Sequence, residues 1–137
     1  MKKKRKIKTA AVQREFNAMI TRIGKRCWVK DETPCSGQLQ CSHYFPVGGN
    51  GGLRYYPFNA FAQCAGHHIA HHQRNPLFYT RWMQLNYPDE LEWMESVRGR
   101  TVRYTQEVLE NILFMCRENK VWELRDYIRS LYVAESR

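Results

Sequence analysis

No apolar run in this 137-residue chain approaches the ~20 residues that a membrane span requires. No secretory signal pattern opens it, so an intracellular, cytoplasmic protein is expected. Disulfide chemistry is equally poorly served. The five cysteines are odd in number and do not fall into a framework spacing, and under reducing conditions metal binding explains them better than bridges. There is no internal repeat, which excludes solenoid architectures. The length suits one domain with one modest core.

Acidic residues are scarce where basic ones are dense. Residues 1–88 hold fourteen Lys/Arg against three acids, Glu15, Asp31 and Glu32, whereas residues 89–137 hold eight against ten. The whole of the +9 net charge therefore sits in the first part. A polyanion is the expected partner, and nucleic acid, here DNA, is the commonest one. The opening MKKKRKIK has six basic residues in eight, too charged to pack, and predicts a disordered arm over residues 1–9. Lys2, Lys3, Lys4 and Arg5 would track phosphates there. A targeting signal or a solubility tail is the plainer reading of the same run.

The remainder, residues 10–137, reads as one domain. Residues 10–23 place Val12, Phe16, Met19, Ile20 and Ile23 at helical spacing, with Gly24 as the expected stop. QLQCSHYF alternates as a strand, with Leu39, Cys41 and His43 on one face. The glycine-rich GGNGG at 48–52 turns the chain back, LRYYPFNAFAQC reads as loop and second strand, and AGHHIAHHQR as a short helix. Asn75-Pro76 and Pro88-Asp89 then supply cap and first-turn proline for two helices. VLENILFMC and VWELRDYIRSLY read as two more, with Val108, Leu109, Ile112, Leu113 and Cys116 sharing one face of the first. Val121, Leu124, Ile128 and Leu131 do so on the second. These helices read as packing, and Cys116 as a buried thiol.

What stands out is the stretch Cys41–His72, which holds all five histidines. Histidine and cysteine at that density call for a metal. His68 and His72 are four apart on the expected helix, and so are His67 and His71, so spacing alone does not choose between the pairs. Cys64-x2-His67 forms a knuckle able to grip zinc, with Cys27 and Cys35 supplied by the earlier loop. If that knuckle holds structural zinc, His68 and His72 are left for a working ion. The plainer alternative is a single structural zinc with the other histidines exposed. His43 is the natural general base, since an imidazole accepts a proton near neutral pH. Asn59 has no ligand preference, but its amide suits bracing the loop that carries the base. The chemistry to which such a set points is hydrolysis of a phosphodiester bond.

The order His43, Asn59, His68 resembles the His-Asn-His (HNH) signature of ββα-metal endonucleases, and the interval of nine from Asn59 to His68, then four to His72, resembles the bacterial colicin DNases. LRYYPFNAFAQCAGHH and the upstream Ser42-His43-Tyr44 resemble the phage recombination nuclease family NinG (also called Rap). The resemblance covers roughly residues 25–75, with residues 76–137 a helical extension outside it. It implies an α+β fold: a ββα-metal, treble-clef-like zinc core with an N-terminal helix and several C-terminal helices. It further implies that His43 activates water, Asn59 holds the base loop, and His68 and His72 bind the catalytic ion (Mg, Mn, Zn or Ni). Cys27, Cys35, Cys64 and His67 would hold structural zinc. Arg54 and Arg74 lie where phosphate contacts would be useful, the plain alternative for each being a solvated arginine. A phage origin, and hence host-cell cytoplasm, follows from the same resemblance, as do recombination proteins as partners. A homodimer would suit two-strand cutting, although no residue demands it.

Three departures bear on that reading. Ser42 stands where many family members have an Asp or His ligand. The first knuckle is stretched to Cys27-x7-Cys35, and the last zinc ligand is His67 where Cys is common. Cys41 could then compete for a zinc position or simply be core. Two other classes fit the same residues: a zinc-stabilised DNA-binding module without catalysis, and a protein whose helices recruit recombination partners.

Overall fold

The computed structural model describes residues 5–135, so Lys2, Lys3 and Lys4 lie outside the described residues. Among the described residues the fold is mixed α+β, with six α-helices and one two-stranded sheet. Helix α1 spans Thr9–Gly24. Strands β1 (Leu39–His43) and β2 (Ala60–Cys64) pair antiparallel, with Cys41 opposite Ala62 and His43 opposite Ala60. Helix α2 (Ala65–Ile69) follows β2 directly and runs into a π-helical turn, Ala70–Arg74. Then come α3 (Pro76–Asn86), α4 (Pro88–Val97), α5 (Gln106–Arg117) and α6 (Val121–Glu135).

One core joins these elements. Val12, Phe16, Met19 and Ile20 of α1 are buried with Leu109 and Ile112 of α5 and Leu124 and Ile128 of α6. Tyr55 and Tyr56, from the connection between the strands, lie in the same cluster. The helical stripes read from spacing therefore do face inward, except at their edges: Ile23 is 37% exposed. Cys116 is a buried thiol whose pKa burial pushes up to about 12.

Several local expectations need correction. Helix α1 does end at Gly24, but the left-handed turn falls one residue later, at Lys25 (φ 65°), whose N–H bonds to the Thr21 carbonyl. Gly24 answers a different need, because a Cβ there would lie 2.7 Å from the Ala62 Cβ, so its lack of a side chain lets α1 cross β2. Asn75 precedes Pro76 as expected, yet its side chain makes no cap bond. Its N–H closes the π turn instead, on the Ala70 carbonyl at 2.8 Å. The described end of the basic arm is docked: the Ile7 N–H donates to Gln106 Oε1 at 2.7 Å, and Gln106 Nε2 donates back at 3.0 Å.

Charge as well as apolar area closes the helical part. Glu90 is buried on α4 and receives both Arg125 and Arg129 of α6, at 2.9–3.1 Å. The Tyr56 hydroxyl also donates to Glu90, and Arg129 Nε donates to Tyr56 Oη at 2.8 Å. An acid with two guanidiniums and a phenol has its lone pairs satisfied, which buried charge demands.

Candidate metal centre

Helix α2 begins at a cysteine. Cys64, the last residue of β2, takes an extended backbone, and its sulfur accepts the His67 N–H. The loop from α1 to β1 is laid against this corner by two backbone bonds, Ala65 N–H to Gln38 and Gly66 N–H to Ser36, both 3.0 Å. Loop and corner together bring Cys27, Cys35, Cys64 and His67 within 4.8 Å of one another. His67 Nδ1 lies 3.6, 3.7 and 3.2 Å from the sulfurs of Cys27, Cys35 and Cys64. A tetrahedral ion about 2.3 Å from each sulfur sets its ligands roughly 3.5–3.8 Å apart. The spacing fits.

The protonation chemistry fits as well. Burial, aided by the neighbouring sulfurs of Cys64 and Cys35, pushes the Cys27 thiol up to about 12. Burial acts the same way on Cys64, but hydrogen bonds from the His67 and Ser36 backbone and from the other two cysteines outweigh it and bring that thiol down to about 7. One thiol eased toward the thiolate beside another held protonated is a pair that a divalent cation completes, since it deprotonates coordinating thiols outright. These four residues could hold a structural metal. Cys41 stays outside the cluster: half-buried on β1, it has its sulfur 4.0 Å from His43 Nδ1.

The remote nitrogen of His67 is also held, by residues with no part in the sequence-based ligand set. Its Nε2 lies 3.0 Å from Asp31 Oδ1 and 2.9 Å from Thr33 Oγ1. The other oxygen of Asp31 is 3.1 Å from Nε2 of His71, the histidine left without a role by spacing. His71 is buried, stacks on His67 and Phe78, and accepts from Gln63 Nε2 at Nδ1 (2.7 Å). Gln63 Nε2 also donates to the Val29 carbonyl at 2.6 Å, which fixes the amide's orientation. Both imidazoles therefore carry their proton on Nε2 and give it to one carboxylate, and Nδ1 of His67 keeps a lone pair toward the sulfurs. Hydrogen bonds from Thr33 are the main cause that holds the Asp31 carboxyl well below the usual carboxylate range.

His68 and His72 form a second group on another side of the helix, with ring centroids 5.0 Å apart. Strand β1 presents Gln40 and Ser42 to them, as alternation requires of residues two apart. Gln40 Oε1 accepts from His68 Nδ1 at 2.8 Å, which leaves Nε2 of His68 as the free donor atom. Ser42 Oγ is 3.0 Å from His72 Nε2. Two imidazoles and the Ser42 hydroxyl thus lie together, with Gln40 behind His68, and no carboxylate is bonded to either imidazole among the described residues. Burial, then the neighbouring imidazoles, lowers the pKa of both histidines, so both are neutral and able to bind a cation at neutral pH.

His43 points from the other face of β1, where it stacks on Phe16 of α1. Its Nε2 donates to the Arg54 carbonyl at 3.1 Å, so the proton-accepting atom is Nδ1. Burial chiefly lowers its pKa from the ordinary 6.5, and nearby His68 and His72 add to the effect. Asn59 is buried and clasps the loop beyond His43: its Oδ1 accepts from Phe45 N–H at 2.8 Å, and its Nδ2 donates to the carbonyls of Phe45 and Leu53. Arg54 itself is half-buried, with Nε on Gln13 Oε1 at 2.9 Å. Arg5 and Arg74 are exposed.

No family model, curated protein or solved structure matches the chain. The function must be argued from these side chains.

The places of Asp31, Gln63, Gln40 and His71 around the cluster and His68 were not legible in the sequence. One usable signal was there: Asp31-x-Thr33 is the pattern of an Asx turn, set between two candidate ligands. Gln63 and Gln40 carry no comparable mark, since an amide on a strand is ordinary.

Proposed function

We propose that the protein is a metal-dependent DNA endonuclease of the HNH, ββα-metal kind, stabilised by a structural zinc. The observation that carries this reading is the grouping of His68, His72 and Ser42 at β1, near enough to His43, on the strand's other face, for the charges of His68 and His72 to act on it. The Asn59 clasp on the loop after that strand supports it. Zinc suits the first centre because three thiols and one imidazole are a structural zinc donor set. A divalent ion at the second centre would supply Lewis-acid stabilisation of phosphate charge and of the leaving oxygen. Imidazole donors favour Zn²⁺ or Ni²⁺ there, while the Ser42 hydroxyl and water oxygens would suit Mg²⁺ or Mn²⁺.

The chain's own residues then divide the work. His43 Nδ1 takes the proton of the attacking water, while the Arg54 carbonyl holds the ring in the tautomer that keeps a lone pair on that atom, beside the Cys41 sulfur. Asn59 fixes the loop so that the carbonyl and the imidazole keep their relation. His68 and His72 would hold the ion, and Gln40 would orient His68 for it, as partners of a ligand's second nitrogen do. Hydrolysis would leave a 5′-phosphate and a 3′-hydroxyl. Branched recombination intermediates are the substrate suggested by the NinG-like block, and recombination proteins the partners.

A supercoiled-plasmid assay tests the reading. Nicking that requires Mg²⁺, Mn²⁺, Zn²⁺ or Ni²⁺, stops with EDTA and is lost in His43→Ala and His68→Ala supports it. The second reading is a zinc-stabilised DNA-binding module, favoured by the absence of a carboxylate at Ser42. Binding without nicking under every ion would establish that module and end the nuclease assignment.

A further inference from the structure

The connector between α4 and α5 holds three arginines, Arg98, Arg100 and Arg103, and residues 96–106 contain no acid. It lies against the glycine-rich loop of the hairpin. Tyr104 Oη donates to the carbonyls of Gly51 (2.9 Å) and Gly52 (3.0 Å), and its ring meets Tyr55 edge-on at 5.1 Å. Gly52 is buried where any Cβ would fall 2.0 Å from Tyr132 Oη and 3.2 Å from the Arg100 carbonyl. Only glycine allows that approach, so loop, connector and α6 are locked together. A groove runs between them, with Gly49 and Gly51 on one wall, Gly99, Arg100 and Thr101 on the other, and Arg54 at its side.

The cations are placed in relation to the candidate site. The Arg54 carbonyl is the acceptor for His43 Nε2, and its guanidinium lies over the Tyr55 ring. The guanidinium of Arg98 sits 4.7 Å over the ring of Phe45, the residue clasped by Asn59 and two beyond His43. Arg100 is anchored to the Tyr132 carbonyl at 3.2 Å. Arg98 and Arg103 are exposed, and neither has an ion-pair partner among the described residues. Nor does the hairpin offer an internal counter-charge, since residues 33–88 contain no acid.

We propose that this groove is the track for the DNA backbone leading away from the scissile phosphate, with Arg98 and Arg103 contacting successive phosphates and Arg54 the one nearest His43. A small anion would need one cationic focus. Arg54 and Arg100 line the groove, and Arg98 and Arg103 are exposed on the same connector, next to its lining residues Gly99 and Val102; cations distributed in this way match a polymer of phosphates, which Arg contacts position without reading sequence. The proposal rests on the nuclease reading for the location of the scissile phosphate, but binding in the groove does not require cleavage.

The test uses the full chain carrying His43→Ala, titrated with fluorescent duplex DNA across a salt series. Two lost phosphate contacts make the slope of log K against log[salt] shallower by about two, so Arg98→Gln/Arg103→Gln should bind more weakly, with its deficit shrinking about tenfold between roughly 50 and 200 mM salt. Arg117→Gln is the control, eleven residues along α5 and therefore about 16 Å from the helix start; it should leave the slope within that of the parent. Unchanged thermal melting of the double variant shows that the fold is intact. Parent-like affinity and slope in the double variant would overturn the proposal, as would an equal loss in Arg117→Gln, tighter binding to duplex RNA, or no binding by the parent. Groove-dependent binding with no nicking by the native chain would leave the track standing and remove the nuclease reading alone.

Discussion

Asp31 accepts from two imidazoles at once, and one of them faces the sulfur cluster. Partners of a ligand's second nitrogen typically change metal affinity 10–100-fold when removed. Asp31→Asn should weaken zinc retention by about that factor in chelator competition, while Glu32→Gln, one residue on, leaves it unchanged. A retention unchanged in Asp31→Asn would remove Asp31 from the metal centre. His43 makes a second residue-scale prediction. Burial holds its pKa below the ordinary 6.5, so the neutral, proton-accepting form persists at pH 6.5 and is lost only as pH falls through the lowered value. The acid limb of a nicking rate profile should therefore lie below pH 6.5, and a rate already halved above it would contradict the assignment. The four cluster residues were legible because cysteine and histidine are sparse in this chain and Cys64-x2-His67 is a distinctive interval, whereas Asn59, one of seven asparagines, stood out only through the resemblance. The acceptor for His43 was not legible, since it is a backbone carbonyl and any residue could have supplied it.

The corner from β2 into α2 does two jobs with one side chain. Cys64 caps the helix and offers its sulfur to the metal centre. The segment from Cys27 to Gln38 has no regular structure of its own; it meets the corner and β2 through the Ser36 and Gln38 carbonyls, the Trp28 N–H, the Val29 carbonyl, the Asp31 carboxylate and the cluster. Metal binding at such a site is folding energy. Removing the metal should raise hydrogen exchange across residues 25–38 and the first turn of α2, while α5 and α6 keep their protection. Uniform exchange after chelation would show that the cluster does not hold the loop. Element types followed from periodicity, and several ends followed from Gly24, Pro76 and Pro88, but the contacts made at those ends did not. Gly24 reads as a stop signal, but its missing side chain also serves the crossing of α1 over Ala62, a tertiary contact that spacing does not encode. The π turn over Ala70–Arg74 was likewise hidden inside a helical pattern. Such turns are frequent at functional sites, and this one carries His71 and His72.

Across the whole molecule, the C-terminal helices are tied to the hairpin by Glu90, Arg125, Arg129 and Tyr56. Helical spacing flags apolar positions, so a buried acid on α4 left no trace in the pattern. Breaking one side of such a buried network costs about 3–5 kcal/mol, because the guanidiniums lose their counter-charge. Glu90→Ala should lower the unfolding free energy by about that amount in denaturant titration, and a loss under ~1 kcal/mol would show a network no stronger than a surface pair. The same helices carry the connector arginines against the glycine loop, so the part of the chain that reads as packing also shapes the cationic groove.

The most direct measurement is nicking of supercoiled plasmid by the native chain, by His43→Ala and by His68→Ala, each with a divalent ion and with EDTA. The expected result is ion-dependent relaxation by the native chain, with rates down about 10²–10⁴-fold in His43→Ala and abolished with EDTA. Nicking that survives in His43→Ala and His68→Ala, or none by the native chain under any ion, would contradict the nuclease assignment.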